Sequence, residues 1–358
     1  MKKLLCVLCM ALSLVACDAK KSDKPIVKIG GILPLTGGAA QMGETAKNGA
    51  ILAIEQINSN KQNKYKYEFI VEDIGLSPNK AMPVYTKLVE SDKVAGLVSF
   101  NTAVGKIIKP LVAKDKIIHI SSAADNSIAD GQFNYVNSYS IPEVSNRLVD
   151  YMKANNMKTI SLATFNHIST EALLQDLTPI LKKAGIKILS TYRFNPDQRD
   201  FKTESLKIRK SNPDMVFVHL VEPGLTLFSK QLLQDGYNGQ ISSFLMFAYA
   251  ENPALFNGQP FVDLKNGSDD FNAKYLRRFK SEPSAASINT YDSVMLIAEF
   301  IEQNGLPQES ENVDSKFKEI VLNYSGPRGK TLMDNSGLIY SNTIIKKIIN
   351  GEPVVVKE

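Results

Sequence analysis

An α/β fold, with parallel-type sheets arranged in two similar lobes, follows from three features of the chain. Short apolar runs of strand type alternate with amphipathic helical segments from residue 25 onward. The alternation restarts near residue 140, so a similar unit occurs twice in tandem. The chain has 358 residues, 44% hydrophobic and 22% charged, which is enough for two cores of ordinary domain size. Strand, helix and strand in repetition argue for a parallel sheet covered on both faces.

The first unit opens with the strand IVKIGGIL. Ala46, Ala50, Ala53, Ile54 and Ile57 then recur at the spacing of one helix face. YEFIVED alternates and is β-branched, so it reads as a strand, AMPVYTKLVES as a short helix and VAGLVSF as a strand. VGKIIKPLVAK is helical despite Pro110, and KIIHISS is a strand. The second unit runs VSNRLVDYMKANN (helix), TISLATF (strand) and STEALLQDLTPILKKAG (helix). That last helix presents Leu173, Leu174, Leu177, Leu181 and Ala184 on one face and stops at Gly185. IKILSTYRF and DMVFVHLV are strands around the helix DFKTESLKIRKS; TLFSKQLLQDG is a helix and ISSFLMFAY a strand. The tail holds helices in DDFNAKYLRRFKSE, in TYDSVMLIAEFIEQNG with Val294, Ile297, Ala298 and Ile301 on one face, and in DSKFKEIVLNY. Turns at SGPRG, MDNSG and INGEP surround two closing strands.

The formal net charge is +5, but lysine is spread along the chain and the tight basic cluster is KKSDK at residues 20–24. That distribution reads as a solvated surface, and no nucleic-acid partner is expected. Lys2 and Lys3 precede the apolar run LLCVLCMALSLV, which is too short for a stable span and reads as a secretory signal over residues 1–16. LVAC at residues 14–17 looks like the bacterial lipobox, which makes Cys17 the lipidation site; an ordinary signal cleaved near Ala19 is the alternative. Acyl chains hold a protein on a membrane because each buried methylene contributes about 0.8 kcal/mol. Asp18 resembles the residue that retains such lipoproteins on the inner membrane. Cys6 and Cys9 would leave with the signal, so no disulfide is expected and stability must come from core burial. Residues 17–24 read as a flexible tether.

The glycine-rich loop after the first strand, GGILPLTGGAAQMG, tests for nucleotide chemistry. It contains neither GxxxxGK[ST] nor GxGxxG, because Gly37 and Gly38 are adjacent and the next glycine is Gly43. The three histidines, His119, His167 and His219, form no HExxH and no metal-ligand spacing with cysteine, so no metal site is expected. His119 and His219 sit in strands, where core or cleft roles are the simple reading, and GxSxG is missing. No cofactor and no enzymatic activity are expected.

VKIGGILPLTGGAAQMGETAKNGAILAIEQIN resembles the opening of periplasmic leucine/isoleucine/valine-binding proteins, the type I substrate-binding proteins of ABC transporters. GLVSFNTAVGKIIKPLV, IIHISSAADNS, RFNPDQRDFKTESLKIRKSNPDMVFV, NTYDSVMLIAEFIEQNG and GLIYSNTIIKKIINGEPVVV resemble later segments of the same family in the same order. The resemblance implies two Rossmann-like lobes joined by a three-strand hinge, with a ligand between them. Crossings are expected near residues 138–141, 261–264 and 326–330. Lobe one would be residues 25–139 plus 265–326, and lobe two residues 140–264 plus 327–358. Ligands of open α/β sheets bind outside the carboxyl ends of strands, where helix amino-termini present free N–H groups.

The resemblance also implies a site. Asn101 and Thr102 fall where the family binds a ligand carboxylate with hydroxyl residues; a plain helix cap is the alternative. Ala124 and Asp125 fall on an Ala-Thr pair. Asp125 would suit an ammonium, or would simply cap the following segment. Met42 replaces a family tyrosine and would give a soft apolar contact. Ser169 stands near the family's Tyr-Gly, and Glu222 near a family tyrosine, where it either joins Asp125 on a cation or faces solvent. The acidic residue that pairs the amino group in branched-chain binders falls on Leu245, which argues against a standard leucine, isoleucine or valine ligand. The implied function is an extracytoplasmic solute-binding lipoprotein of an ABC transporter. It would act as a monomer on the periplasmic side of the inner membrane or the outer face of the cell membrane. It would take an amino acid or related amine, amide or carboxylate and pass it to the permease. The alternative is a regulatory lipoprotein of the same fold that binds a cell-envelope protein.

Overall fold

A computed structural model describes residues 24–356. The expected leader and Cys17 lie outside the described residues. The chain opens with β1 (Ile26–Leu33), α1 (Ala40–Ser59), β2 (Lys66–Asp73), α2 (Ala81–Thr86), β3 (Gly96–Phe100), α3 (Thr102–Asp115), β4 (Ile118–Ser122) and β5 (Asn134–Asn137). It continues through α4 (Ile141–Ala154), β6 (Thr159–Phe165), α5 (Ile168–Lys183), β7 (Lys187–Phe194), α6 (Lys202–Ser211), β8 (Met215–His219), α7 (Gly224–Gln234), β9 (Gln240–Ser242) and β10 (Pro260–Leu264). Then come α8 (Asp269–Phe279), α9 (Ala285–Asn304), α10 (Val313–Asn323), the hairpin β11 (Ser325–Gly326) and β12 (Gly329–Lys330), β13 (Leu332–Met333) and β14 (Leu338–Tyr340). β15 (Thr343–Ile349) and β16 (Glu352–Val355) close the described chain.

The first lobe is built on a sheet in the order β13-β14-β5-β4-β3-β1-β2, parallel except where β13 meets β14. The second is built on the parallel set β7-β6-β8-β9. A single bridge from Phe244 to Val262 extends that set to the antiparallel strands β10-β15-β16. The alternating sequence pattern therefore produces two covered sheets.

Packing follows the helix faces. Ala46, Ala50, Ala53 and Ile57 are buried on α1, and their small side chains let α9 lie close alongside. Leu173, Leu174, Leu177 and Leu181 of α5 are buried in the second lobe. α9 is buried almost all round, and it begins at Ala285, ahead of the expected Thr290. Ser284 caps it through a reciprocal pair with Ser287, a box that uses serine where the usual signature has Glu or Gln. One apolar cluster spans both lobes, joining Leu33, Ala39, Met42 and Ala46 to Phe244, Leu245 and Tyr249.

The chain leaves the first sheet after β5, returns after β10, and leaves again between Tyr340 and Thr343. That last passage corrects the expected crossing at residues 326–330. Leu338 and Ile339 are buried and pair in parallel with Val136 and Asn137, so residues 332–340 belong with the first lobe. A buried ion pair, Lys346 Nζ to Asp263 Oδ2 at 2.6 Å, ties two strands that carry the chain between lobes. The expected strand ISSFLMFAY stops at Ser242, because Leu245 takes a left-handed conformation (φ 61°) and Met246–Tyr249 form a 3-10 turn.

Candidate functional site

A cavity of about 120 Å³ lies between the carboxyl ends of the two parallel sheets. That is close to the roughly 150 Å³ that accommodates a benzene ring in a protein interior. The opening loop forms one wall. Asp73, at the end of β2, accepts the Leu35 and Gly75 N–H groups at 2.8 Å each and the Thr36 hydroxyl at 2.6 Å. A carboxylate at the centre of that loop has the wrong sign for holding phosphate. The next turn is tight: a Cβ on Gly43 would lie 2.0 Å from the Pro34 carbonyl oxygen. Glycine there lets the first turn of α1 settle on the loop, which brings Ala39 and Met42 to the cavity.

Asn101 joins β3 to α3 with φ 106°, a conformation that side chains other than glycine rarely adopt. Its Oδ1 accepts the Ala103 N–H at 2.8 Å, so it caps α3. Strain of this kind, of order 1–3 kcal/mol, collects at binding sites. Thr102, at the first position of α3, is fully buried; its hydroxyl has no hydrogen-bond partner and the residue lines the cavity. Ser122 at the end of β4, Ala124 after it, Ser138 and Tyr139 beyond β5, and Ala285 and Asn289 of α9 add to the first-lobe wall.

The second lobe contributes an aromatic column. Phe165 stacks with His167 at 5.4 Å and with His219 at 6.2 Å between ring centroids. His167 caps α5: its Nδ1 accepts the Ser169 N–H at 3.2 Å and lies 2.8 Å from the Ser169 hydroxyl. Nδ1 is thus an acceptor, so the neutral ring carries its proton on Nε2, a buried atom with no partner. His219 Nδ1 is likewise buried and unpartnered. Burial pushes His219 down to about 4 and His167 below its ordinary value, so both rings are neutral near pH 7. Tyr249 spans the lobes: its hydroxyl accepts the Ala286 N–H of α9 at 3.0 Å, and burial raises the phenol to about 12.

Five of the seven expected binding residues, Met42, Asn101, Thr102, Ala124 and Ser169, line this cavity. Asp125 and Glu222 do not. Asp125 pairs with Lys106 Nζ at 2.5 Å and accepts the Ser127 N–H at 2.8 Å, capping a 3-10 turn. Partial burial pushes its pKa up, but those hydrogen bonds outweigh it and hold the carboxyl below its ordinary value. Glu222 accepts from the N–H and hydroxyl of Thr226 and from the Glu251 N–H, beside an adjoining chamber. Sequence reasoning missed His167, His219, Phe165, Tyr139, Tyr249 and Asn289. The available signal for the histidines was position: His219 ends β8 and His167 follows the end of β6. No Asp, Glu, Lys or Arg is among the residues lining the cavity. Leu245, which stands where branched-chain binders carry their acidic residue, lines it as an apolar surface.

A profile described as periplasmic binding protein matches residues 26–339. The leucine-, isoleucine-, valine-, threonine-, and alanine-binding protein of Pseudomonas aeruginosa is 24% identical over 303 residues, 78% of this chain and 79% of the relative. Among solved structures, the branched-chain amino acid transporter substrate-binding protein LivJ of Streptococcus pneumoniae, in complex with isoleucine, superposes with a TM-score of 0.82 at 20% identity. That match covers 93% of this chain and 100% of the other. An ABC-transporter solute-binding protein of R. palustris in complex with benzoate gives 0.80 at 17% identity, covering 92% and 95%. The chain belongs to the periplasmic binding protein family, and its fold is that of the leucine/isoleucine/valine-binding type I members.

Proposed function

We propose that the protein is the extracytoplasmic solute receptor of an ABC transporter. It captures a compact, largely apolar ligand between its lobes by hinge closure and delivers it without chemical change. The observation that carries this reading is the cavity itself: single-ring size, walls without charged side chains, and three lining residues, Thr102, His167 and His219, that each hold a buried polar atom without a partner (Oγ1, Nε2 and Nδ1). A buried polar atom left unpaired costs about 1–3 kcal/mol, and a ligand oxygen placed among them recovers that. Burial of Phe165, Met42 and Tyr249 surface against the ligand then favours the closed state, at about 25 cal/mol per Å². A zwitterionic amino acid with its ammonium in this chamber would meet no carboxylate. Aromatic or branched carboxylates, phenols and amides fit the surface better. Membrane attachment through Cys17 belongs to the same reading and rests on the LVAC sequence at residues 14–17.

Thermal melting with benzoate, p-cresol, tyramine and leucine tests this. A bound ligand at a hundred times its Kd adds about 2.7 kcal/mol, a rise of several degrees. At least one aromatic probe should raise the Tm, and Thr102→Val should weaken it roughly tenfold. No response to any small molecule would favour the regulatory, partner-binding role. Asp125→Ala should leave ligand affinity within about twofold, because its carboxylate is engaged by Lys106 outside the cavity. Titration calorimetry of the variant decides this, and a tenfold loss would return Asp125 to the site.

A further inference from the structure

The geometry points to a second compartment of the ligand site that takes a cationic group, with the Glu222 carboxylate as its counter-charge. This inference rests on the solute-capture reading and narrows the ligand to an apolar or aromatic head carrying an ammonium tail. A chamber of about 220 Å³ adjoins the ring-sized cavity, and the two share Met42, Val221, Met246 and Tyr249 as walls. Two of those four are methionines, whose flexible side chains adapt to a ligand passing between compartments. The outer chamber is lined by two carboxylates, the buried Glu222 and the exposed Glu251, and by no lysine or arginine.

Glu222 is 7% exposed and forms no ion pair among the described residues. Other carboxylates with buried side chains have cations beside them: Asp263 has Lys346, and Asp235 has Lys202. A buried charge is ordinarily paired, because removing an ion from water is costly. Hydrogen bonds from Thr226 and Glu251, and the amino-terminal end of α7, stabilise the Glu222 carboxylate in part. Oε2 accepts the Thr226 N–H and Oε1 the Thr226 hydroxyl and the Glu251 N–H, and none of these donors carries a charge. The negative charge is left to a partner that the protein does not provide.

Calorimetric titration with matched probes tests the assignment. Tyramine and tyrosol share a phenolic head and differ only in an ammonium or hydroxyl tail, and p-cresol lacks the tail. Tyramine should bind wild-type protein at least about tenfold tighter than tyrosol, as expected for a charge-assisted hydrogen bond. Glu222→Gln, which removes the charge but keeps one acceptor oxygen for the Thr226 hydroxyl and the Glu251 N–H, should erase that ratio and leave tyrosol affinity within about twofold. Equal binding of tyramine and tyrosol to wild type, or a ratio that survives Glu222→Gln, overturns the cationic compartment. Binding of p-cresol or benzoate alone also overturns it while leaving solute capture standing. Silence from every probe counts against both. Should Glu222→Gln fail to fold, the wild-type ratio alone decides.

Discussion

Replacing Gly38 by alanine should lower ligand affinity by more than roughly a hundredfold while leaving the melting of the ligand-free protein almost unchanged. Gly38 lies in the opening loop of the first lobe and faces the second lobe at Glu222. A Cβ built there would sit 2.1 Å from the Glu222 carbonyl oxygen and 3.2 Å from its carbonyl carbon. Both are backbone atoms, so no side-chain rotation relieves the overlap; the lobes must separate by about an ångström. A gap of that size forfeits a quarter to a half of each dispersion contact along the closed face, and a hundredfold in affinity is only about 2.7 kcal/mol. Gly38 does not occupy the positive-φ region, so alanine fits its backbone whenever the lobes are apart. Gly37 is the matched control. It has φ 78° with nothing near its Cβ position, so Gly37→Ala strains the loop by about 1 kcal/mol without blocking the lobes. Calorimetry with the tightest aromatic probe, alongside melting curves, separates the two. Undiminished affinity in Gly38→Ala would show that the ligand does not need this approach of the lobes.

The fold was legible because its signals are local. The helix faces of α1 and α5 are written as spaced apolar residues, and these are buried except Ile54 and Ala184, which are half-buried. Register and sheet membership are not local. Nothing in GLIY says that Leu338 and Ile339 will lie beside Val136 and Asn137, about two hundred residues earlier in the chain, so the last crossing was placed too early. The strand expected across ISSFLMFAY failed for another reason. Its composition favours a strand, but Leu245 takes a left-handed conformation that turns Met246 and Tyr249 toward the cavity. The residues expected in the site divide along the same line. Thr102 and Asn101 line the cavity from the point where a β-strand meets a helix start, which is a local feature. Asp125 lies outside the cavity with its carboxylate on Lys106, and a carboxylate already paired reads the same in sequence as one awaiting a ligand. His167 and His219 carry no motif; their importance comes from a shared end of neighbouring strands, which only the sheet order reveals.

The pH dependence of stability should be steepened by Asp292→Asn and flattened by His219→Gln. His119 is fully buried, with Nε2 2.8 Å from the Ser99 hydroxyl and Nδ1 3.0 Å from Asn134 Oδ1, and burial pushes it down to about 4. His219 is pushed down to about 4 for the same reason. Unfolded histidine titrates near 6.5. Between those values the unfolded chain binds two more protons at these rings than the folded one, so they contribute stability above pH ~6.5 that is lost as pH falls toward ~4. His167 is displaced in the same direction. Asp292 works in the opposite sense. Burial raises it to about 7, against the pull of Arg328 and the hydrogen bond from Tyr324 at 2.8 Å. The folded state therefore binds a proton there that the unfolded state, titrating near 3.8, does not, and acidification through this window adds stability. For the two fully buried histidines and Asp292 together, the excess is two protons minus one. Each proton corresponds to about 1.4 kcal/mol per pH unit. Relative to wild type, Asp292→Asn should then lose about 1.4 kcal/mol more per unit from pH ~6.5 toward ~4, and His219→Gln about 1.4 kcal/mol less. Urea unfolding at several pH values across the window measures these slopes, which are unaffected by any constant loss that a substitution causes. A slope in Asp292→Asn no steeper than wild type would mean that Asp292 is ionised in the folded protein, held so by the buried Arg328 guanidinium.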